Sequence, residues 1–170
     1  MWKIDCTKSQ VIVMCGISGS GKTHYAHQLE LYGYIRLSTD ALIWDKAGDQ
    51  LYSLSEEEQK RLFEESGKQM RIQLEDMLKS GRKVVVDATN CKRCARDDIR
   101  NICSKYKVKP LFAFCDADLE ELKHRLSKRN GSGPDDLIVT TEELSEYWNG
   151  FEPPQEDESD FIFLNDGSIF

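Results

Sequence analysis

Gln10-Val11-Ile12-Val13-Met14-Cys15 runs directly into Gly16-Ile17-Ser18-Gly19-Ser20-Gly21-Lys22-Thr23. The first stretch is short and almost wholly apolar, which predicts a strand buried on both faces. The second predicts a tight turn that opens a helix from Lys22 to about Leu31, with Gly33 ending it. Glycines at 16, 19 and 21 let the backbone curl and aim its N–H groups at an anion. The helix adds unpaired N–H groups and the positive end of its dipole. Gly-x-x-x-x-Gly-Lys-Thr is the Walker A pattern, and it sits where its mechanism needs it, between a strand and a helix. Gly16, Ser18, Gly19, Ser20, Gly21, Lys22 and Thr23 are therefore expected to bind ATP. Lys22 would reach the β- and γ-phosphates, and the Thr23 hydroxyl would face Mg²⁺.

Outward from this turn, strands and helices alternate. Tyr34–Leu37 predicts a second strand, followed by a short helix at 41–45. Ser55 with Glu58 forms a capping box for a long helix whose apolar side carries Leu62, Met70, Leu74, Met77 and Leu78, with Gly81 just past its end. Lys83–Asp87 is a third strand, 95–106 a helix, and Pro110–Cys115 a fourth strand. Asp118 caps a helix expected to run to Arg129, before the loop Asn130-Gly131-Ser132-Gly133-Pro134. Thr140 and Glu143 form a second capping box, and Phe161–Leu164 is a last strand. The alternation implies an α/β fold with a parallel sheet covered by helices on both faces. Ligands of such sheets bind at the strands' C-terminal edge.

Two carboxylates stand at that edge. Asp87 ends the apolar strand Val84-Val85-Val86, the Walker B arrangement, and is expected to hold Mg²⁺; the competing role is a helix cap. Asp40 follows the second strand. It suits the proton acceptor for an attacking hydroxyl, or a cap for the short helix. A phosphoryl-transfer site also needs cations that close over the moving group. Arg125 and Arg129, four apart ahead of the Gly-Ser-Gly-Pro loop, outline a lid over about 125–140; alone they would read as an exposed helix end.

Composition bounds the rest. At 170 residues, 39 % hydrophobic and 31 % charged, the chain suits one globular domain over 1–170. No apolar run reaches the roughly 20 residues needed to cross a bilayer, and the N-terminus Met1–Cys6 lacks a signal-peptide core, so a cytoplasmic protein without membrane contact is expected. The net charge of −7 argues against bulk coating of nucleic acid. Bases gather in 92–129, as either a local basic face or solvated helix faces, and the acids Glu156-Asp157-Glu158 are expected in a solvated loop. Cys91 and Cys94 form the one close pair among six cysteines, either a half zinc site or ordinary thiols.

Together, Gly16–Thr23, Leu37-Ser38-Thr39-Asp40, Val86-Asp87-Ala88-Thr89-Asn90, Arg125-Leu126-Ser127-Lys128-Arg129 and the late Phe151-Glu152-Pro153-Pro154 resemble the phage-type polynucleotide 5′-hydroxyl kinases and their small bacterial relatives, a P-loop kinase group that includes the zeta toxins. The resemblance covers about 10–154. It implies a three-layer fold with a five-stranded parallel sheet in the order 2-3-1-4-5. It implies Asp40 as general base, Asp87 as the metal-side acid with Thr89 and Asn90 beside it, and Arg129 as the lid arginine with Arg125 its neighbour. The implied acceptor is the 5′ end of RNA or DNA. One departure stands out: where the group often has an acceptor-holding arginine, this chain has Ile43, followed by Trp44, which would either stack on the acceptor or pack in the core. That favours, as an alternative, a small-molecule hydroxyl acceptor such as a sugar, nucleoside or antibiotic. A nucleotide-binding module without transfer is the third possibility.

Overall fold

In the computed structural model, residues 8–158 and 160–164 are described; Met1–Cys6 and the ends of the expected 1–170 domain lie outside them. Five strands, β1 (Val11–Cys15), β2 (Ile35–Ser38), β3 (Val84–Asp87), β4 (Leu111–Cys115) and β5 (Phe161–Leu164), form one parallel sheet in the order β2-β3-β1-β4-β5. The helices are α1 (Lys22–Glu30), α2 (Thr39–Ala47), α3 (Glu56–Lys79), α4 (Arg93–Lys105), α5 (Leu119–Leu126) and α6 (Thr141–Asn149). This is the P-loop NTPase-like fold, with the strand order that the motif resemblance implied.

The alternation of side chains along β1 explains the layers. Ile12 and Met14 pack with Tyr25, Ala26 and Leu29 of α1 on one face. Val11 and Val13 pack with Met70, Leu74 and Leu78 of α3 and with Ile99 and Cys103 of α4 on the other. Both faces are covered, so β1 has no polar side. Each fully buried Val, Ile or Leu there contributes about 1.5–3 kcal/mol. β1 lies between β3 and β4, so chain connections leave it in opposite directions and open a crevice at its C-terminal end.

Local chemistry fixes the boundaries. Ser38 caps α2, its Oγ accepting from Ala41 N–H, so Asp40 is not the cap and its carboxylate is left for other work. Both predicted capping boxes form, at Ser55/Glu58 and Thr140/Glu143. The segment after Asp87 does not use that acid as a cap either: the first N–H of α4, at Arg93, donates to the Glu152 carboxylate.

Three expectations need correction. α5 ends at Leu126, so Arg125 and Arg129 do not share a helix. The chain turns away because Asp136 accepts from the N–H groups of Asn130 and Ser132, while Arg129 Nη1 donates to the Leu137 carbonyl. Of the acids 156–158, Glu156 and Asp157 are exposed in a turn as expected, but Glu158 is not solvated. Arg96 and Glu158 are both buried with no exposed side-chain surface, joined in a two-pronged pair at 2.9 and 2.7 Å. Nor is the cluster of bases in 92–100 a free basic face. Arg93 binds Asp97 and Asp157, Arg100 binds Asp97, Glu158 and Asp160, and Lys92 lies 3.4 Å from Glu152.

Burying such a pair costs several kcal/mol of hydration unless every prong is satisfied. Here Arg96 also donates to the carbonyls of Asn90 and Glu152, and Glu158 also accepts from Gln155 N–H and Arg100. Burial pushes the Glu158 carboxyl up, but these donors outweigh it and hold it down at about 2.

Candidate active site

The turn after β1 takes a shape that only glycine permits at its first residue. Gly16 has φ 144°, and a Cβ there would lie 2.5 Å from the Cys115 carbonyl oxygen. Its N–H donates to the Thr89 carbonyl at 3.0 Å, which ties the turn to the loop after β3. Asn90 braces the same junction from below, donating to the Met14 carbonyl at 2.8 Å. α1 then begins at Lys22 with no capping side chain and no acid in its first turn. Its positive end is left open to an anion.

Two side chains of the turn suit a polyphosphate. Ser20 Oγ is buried without a hydrogen-bond partner. Such an orphan costs about 1–3 kcal/mol, which a phosphate oxygen would relieve. Lys22, mostly buried, rests its Nζ on the Ile17 carbonyl at 2.9 Å. A carbonyl is a weaker partner than a carboxylate, so this cation is held without being neutralised.

Around this cradle lies a cleft of about 360 Å³, lined by Ser18, Gly19, Gly21, Lys22, Thr23, Asp40, Asp87, Thr89, Arg125 and Arg129 among the expected residues. Register sets the acids: Ser38 pairs with Asp87 across β2 and β3, which puts Asp40 of α2 beside the tip of β3. Burial pushes the Asp40 carboxyl up, partly countered by Lys22, with Asp87 raising it further and Arg129 and Arg36 lowering it. A carboxylate with raised proton affinity is suited to accept a proton. Thr23 and Asp87 offer hard oxygen donors on one side of the cradle, a set that fits Mg²⁺ shared with phosphate oxygens. Among the described residues no cluster of three His, Cys, Asp or Glu could hold a metal unaided. The Cys91 thiol is turned toward the Gly16 and Thr89 carbonyls, and Cys94 is exposed.

Arg125 Nη1 reaches the Gly19 carbonyl at 3.2 Å, and Arg129 reaches the Leu137 carbonyl at 3.1 Å. Both line the cleft from the α5 side although the helix does not join them.

Two expected substrate residues lie elsewhere. Asn90 is buried with φ 48°, its amide spent on Met14 and Ala88, so its part is structural. Trp44 packs beside the apolar cluster of Ile43, Leu51 and Leu137 and is not in the cleft wall. Four residues that sequence reading did not single out do line the cleft or bear on it: His24, His27, Asp135 and, behind Asp87, Arg36. Asp135 accepts from Arg36 Nη2 at 2.5 Å and faces His27 Nε2 at 2.8 Å. These pairings join residues far apart in the chain, and no local pattern signals them.

Comparison with known proteins bears on the fold. The profile of the AAA domain family matches residues 11–154. No curated protein matches the chain by sequence. Among solved structures, a sugar kinase from Janibacter sp. HTCC2649 superposes with a TM-score of 0.67 at 22 % identity, covering 92 % of this chain and 85 % of that one. Chaetomium thermophilum Kti12, solved with ADP-AlF3, superposes at 0.65 and 17 % identity, covering 92 % and 89 %. A chain of the Pnkp1/Rnl/Hen1 RNA repair complex superposes at 0.66 and 22 % identity, covering 82 % of this chain and 43 % of that one. No helix among the described residues is long and apolar enough to cross a membrane.

Proposed function

Because the chain belongs to the AAA domain family, we propose that it is an ATP-dependent phosphotransferase that moves the γ-phosphate to the hydroxyl of a small molecule. One observation carries the proposal: a half-buried carboxylate, Asp40, shares a cleft with a phosphate cradle and two arginines. The backbone N–H groups from Gly16 to Thr23, with Ser20 Oγ, bind the polyphosphate. Thr23 and Asp87 would hold Mg²⁺, which would supply charge neutralisation on the phosphates. Asp40 accepts the proton of the acceptor hydroxyl. The freed oxygen bonds to the γ-phosphorus, the bond from that phosphorus to the β–γ bridging oxygen breaks, and ADP leaves. Lys22 and Arg129 leave their carbonyl partners for the oxygens of the transferring group, with Arg125 beside the cradle. The segment 125–140 acts as the lid.

The acceptor side of the cleft supports a small substrate. Asp40, Asp87 and Asp135 meet there with Arg36 already held by two of them. The arginines of α4 are paired with acids and do not line the cleft, so they form no free basic track beside it. A polynucleotide brings a phosphate for every nucleotide after the first and needs such a track. The second reading, a polynucleotide 5′-hydroxyl, is favoured by the order of the segments 37–40, 86–90 and 125–129.

The test is phosphate transfer from γ-labelled ATP to a panel of small hydroxyl compounds, with 5′-hydroxyl RNA and DNA oligonucleotides alongside. Wild-type labelling of a small compound is expected. Asp40→Asn should lower transfer roughly 10²–10⁴-fold with ATP affinity unchanged. Since burial raises the Asp40 proton affinity, the acid limb of the wild-type kcat/KM profile should lie above the ordinary aspartate range. Transfer to oligonucleotides alone would exchange the first reading for the second. ATP binding with no acceptor labelled in a whole extract would leave a nucleotide-binding module.

A further inference from the structure

Arg36 stands on edge strand β2 with 11 % of its side chain exposed, and its donors are divided among three parts of the active site. Its Nε–H donates to Asp87 Oδ2 at 2.8 Å, and Nη2 lies 2.7 Å from the same oxygen. Nη2 carries two hydrogens, and both are used elsewhere. One goes to Ser38 Oγ at 3.4 Å, the hydroxyl that caps α2 and so fixes the turn bearing Asp40. The other goes to Asp135 Oδ1 at 2.5 Å, in the lid. The other Asp135 oxygen is gripped by His27 of α1, whose Nδ1 lies 2.6 Å from Glu30. Past Arg129, the lid's ion pairs among the described residues all run through Asp135; elsewhere Tyr52 Oη accepts from Ile138 N–H, and Leu137 sits among Ile43 and Leu51. Asp135 is thus the lid's charged tie to the sheet, and Arg36 is where that tie meets Asp87.

We infer that Arg36 is a positioning residue that couples closure of the lid to the metal-side carboxylate Asp87, by dividing one guanidinium between Asp87 and Asp135. This rests on the phosphotransferase reading above. The physical reason is charge sharing. A guanidinium bound to one carboxylate cancels most of that carboxylate's pull on a cation. When Asp135 arrives, the positive charge is divided, and Asp87 regains its pull toward Mg²⁺. Both Arg36 contacts fall on Oδ2, which leaves Oδ1 for the cleft. With the lid away, Arg36 is left to Asp87 and the metal-side acid is damped. Coupling of this kind is reciprocal: whatever draws on Asp87 also favours the closed lid.

The chain supplies its own reporter. Arg129 is the last Lys or Arg in the sequence, so tryptic cutting there yields one fragment beginning at Asn130 and reads lid opening without any need for turnover. The second readout is the Mg²⁺ concentration that half-saturates binding of a fluorescent ATP analogue. Both are measured on the full-length wild type, Asp135→Asn, Arg36→Gln and the double variant. Asp135→Asn should speed cutting several-fold and raise the half-saturating Mg²⁺ about three- to tenfold. In the Arg36→Gln background Asp135→Asn should change the half-saturating Mg²⁺ by no more than about 1.5-fold, while loss of the His27 contact still speeds cutting. Mg²⁺ added to ATP should slow cutting of the wild type more than ATP alone, and this extra protection should vanish in Arg36→Gln. An equal Mg²⁺ shift from Asp135→Asn in both backgrounds would overturn the inference, as would faster cutting with no Mg²⁺ shift. If the wild type binds no nucleotide at any Mg²⁺ level, the phosphotransferase reading fails and takes this inference with it. If the wild type binds normally and the two variants act independently, only the inference fails.

Discussion

The arginines of α4 and the cations of the cleft come from one base-rich half of the sequence and the phosphate turn, yet they are satisfied in opposite ways. Arg93, Arg96 and Arg100 are each bound to carboxylates, from Asp97 in their own helix and from 157–160 near the last strand. Lys22 and Arg129 rest on main-chain carbonyls, and Arg125 divides itself between the Gly19 carbonyl and Glu121. A carboxylate cancels a cation, whereas a carbonyl only parks it. The first group holds the fold; the second keeps its charge for a phosphate. Partner chemistry, more than local density of Lys and Arg, separates structural from working cations in this molecule.

The contrast can be broken from either side. Lys22→Ala should lower transfer by roughly three orders of magnitude while urea unfolding midpoints stay near wild type, because removing a carbonyl-parked cation costs the fold little. A large loss of stability in that variant would erase the distinction. Glu158→Gln should act the other way, destabilising the fold by about 3 kcal/mol because it strands the buried Arg96 charge. Its pH dependence has a definite sign. Glu158 is held at about 2 in the fold against an ordinary 4.5. Its stabilisation is therefore complete above that ordinary value and is lost as pH falls toward 2. Wild-type denaturation curves should show this loss across pH 4.5 to 2, and Glu158→Gln should flatten it. The smallest effect is expected at the rim. Arg93→Gln removes its close pairs with the exposed Asp97 and Asp157, so the urea midpoint should move far less than in Glu158→Gln, with ATP affinity untouched. A larger loss would extend the structural group to the surface.

The parts legible in the sequence are those whose physics is local. Gly16–Thr23 shows itself because backbone curl, glycine and the following helix are one continuous stretch. Asp87 shows itself because three valines before it mark the strand it ends. The capping boxes declare helix starts within four residues. What stayed hidden depends on residues far apart. Arg36 meets Asp87 across 51 positions and Asp135 across 99, so neither pairing leaves a trace in spacing. Glu158 sits in a run of acids that looks solvated, and only the buried Arg96 62 positions earlier makes it an interior residue. Arg129 follows a pattern that could continue the helix, but Asp136 draws the chain aside. Trp44 had a choice between acceptor and core, which the cluster of Ile43, Leu51 and Leu137 resolves in favour of packing.

The pairing of Arg96 with Glu158 also sets an order of events during synthesis. A growing chain delivers α4 well before its counter-ion, so Arg96 lacks its carboxylate partner until residue 158 has been made. Asn90, whose carbonyl Arg96 holds and whose amide braces Met14, waits with it. A chain that stops before residue 158 would have the nucleotide-binding turn in its sequence but not its finished scaffold, and should hold ATP poorly.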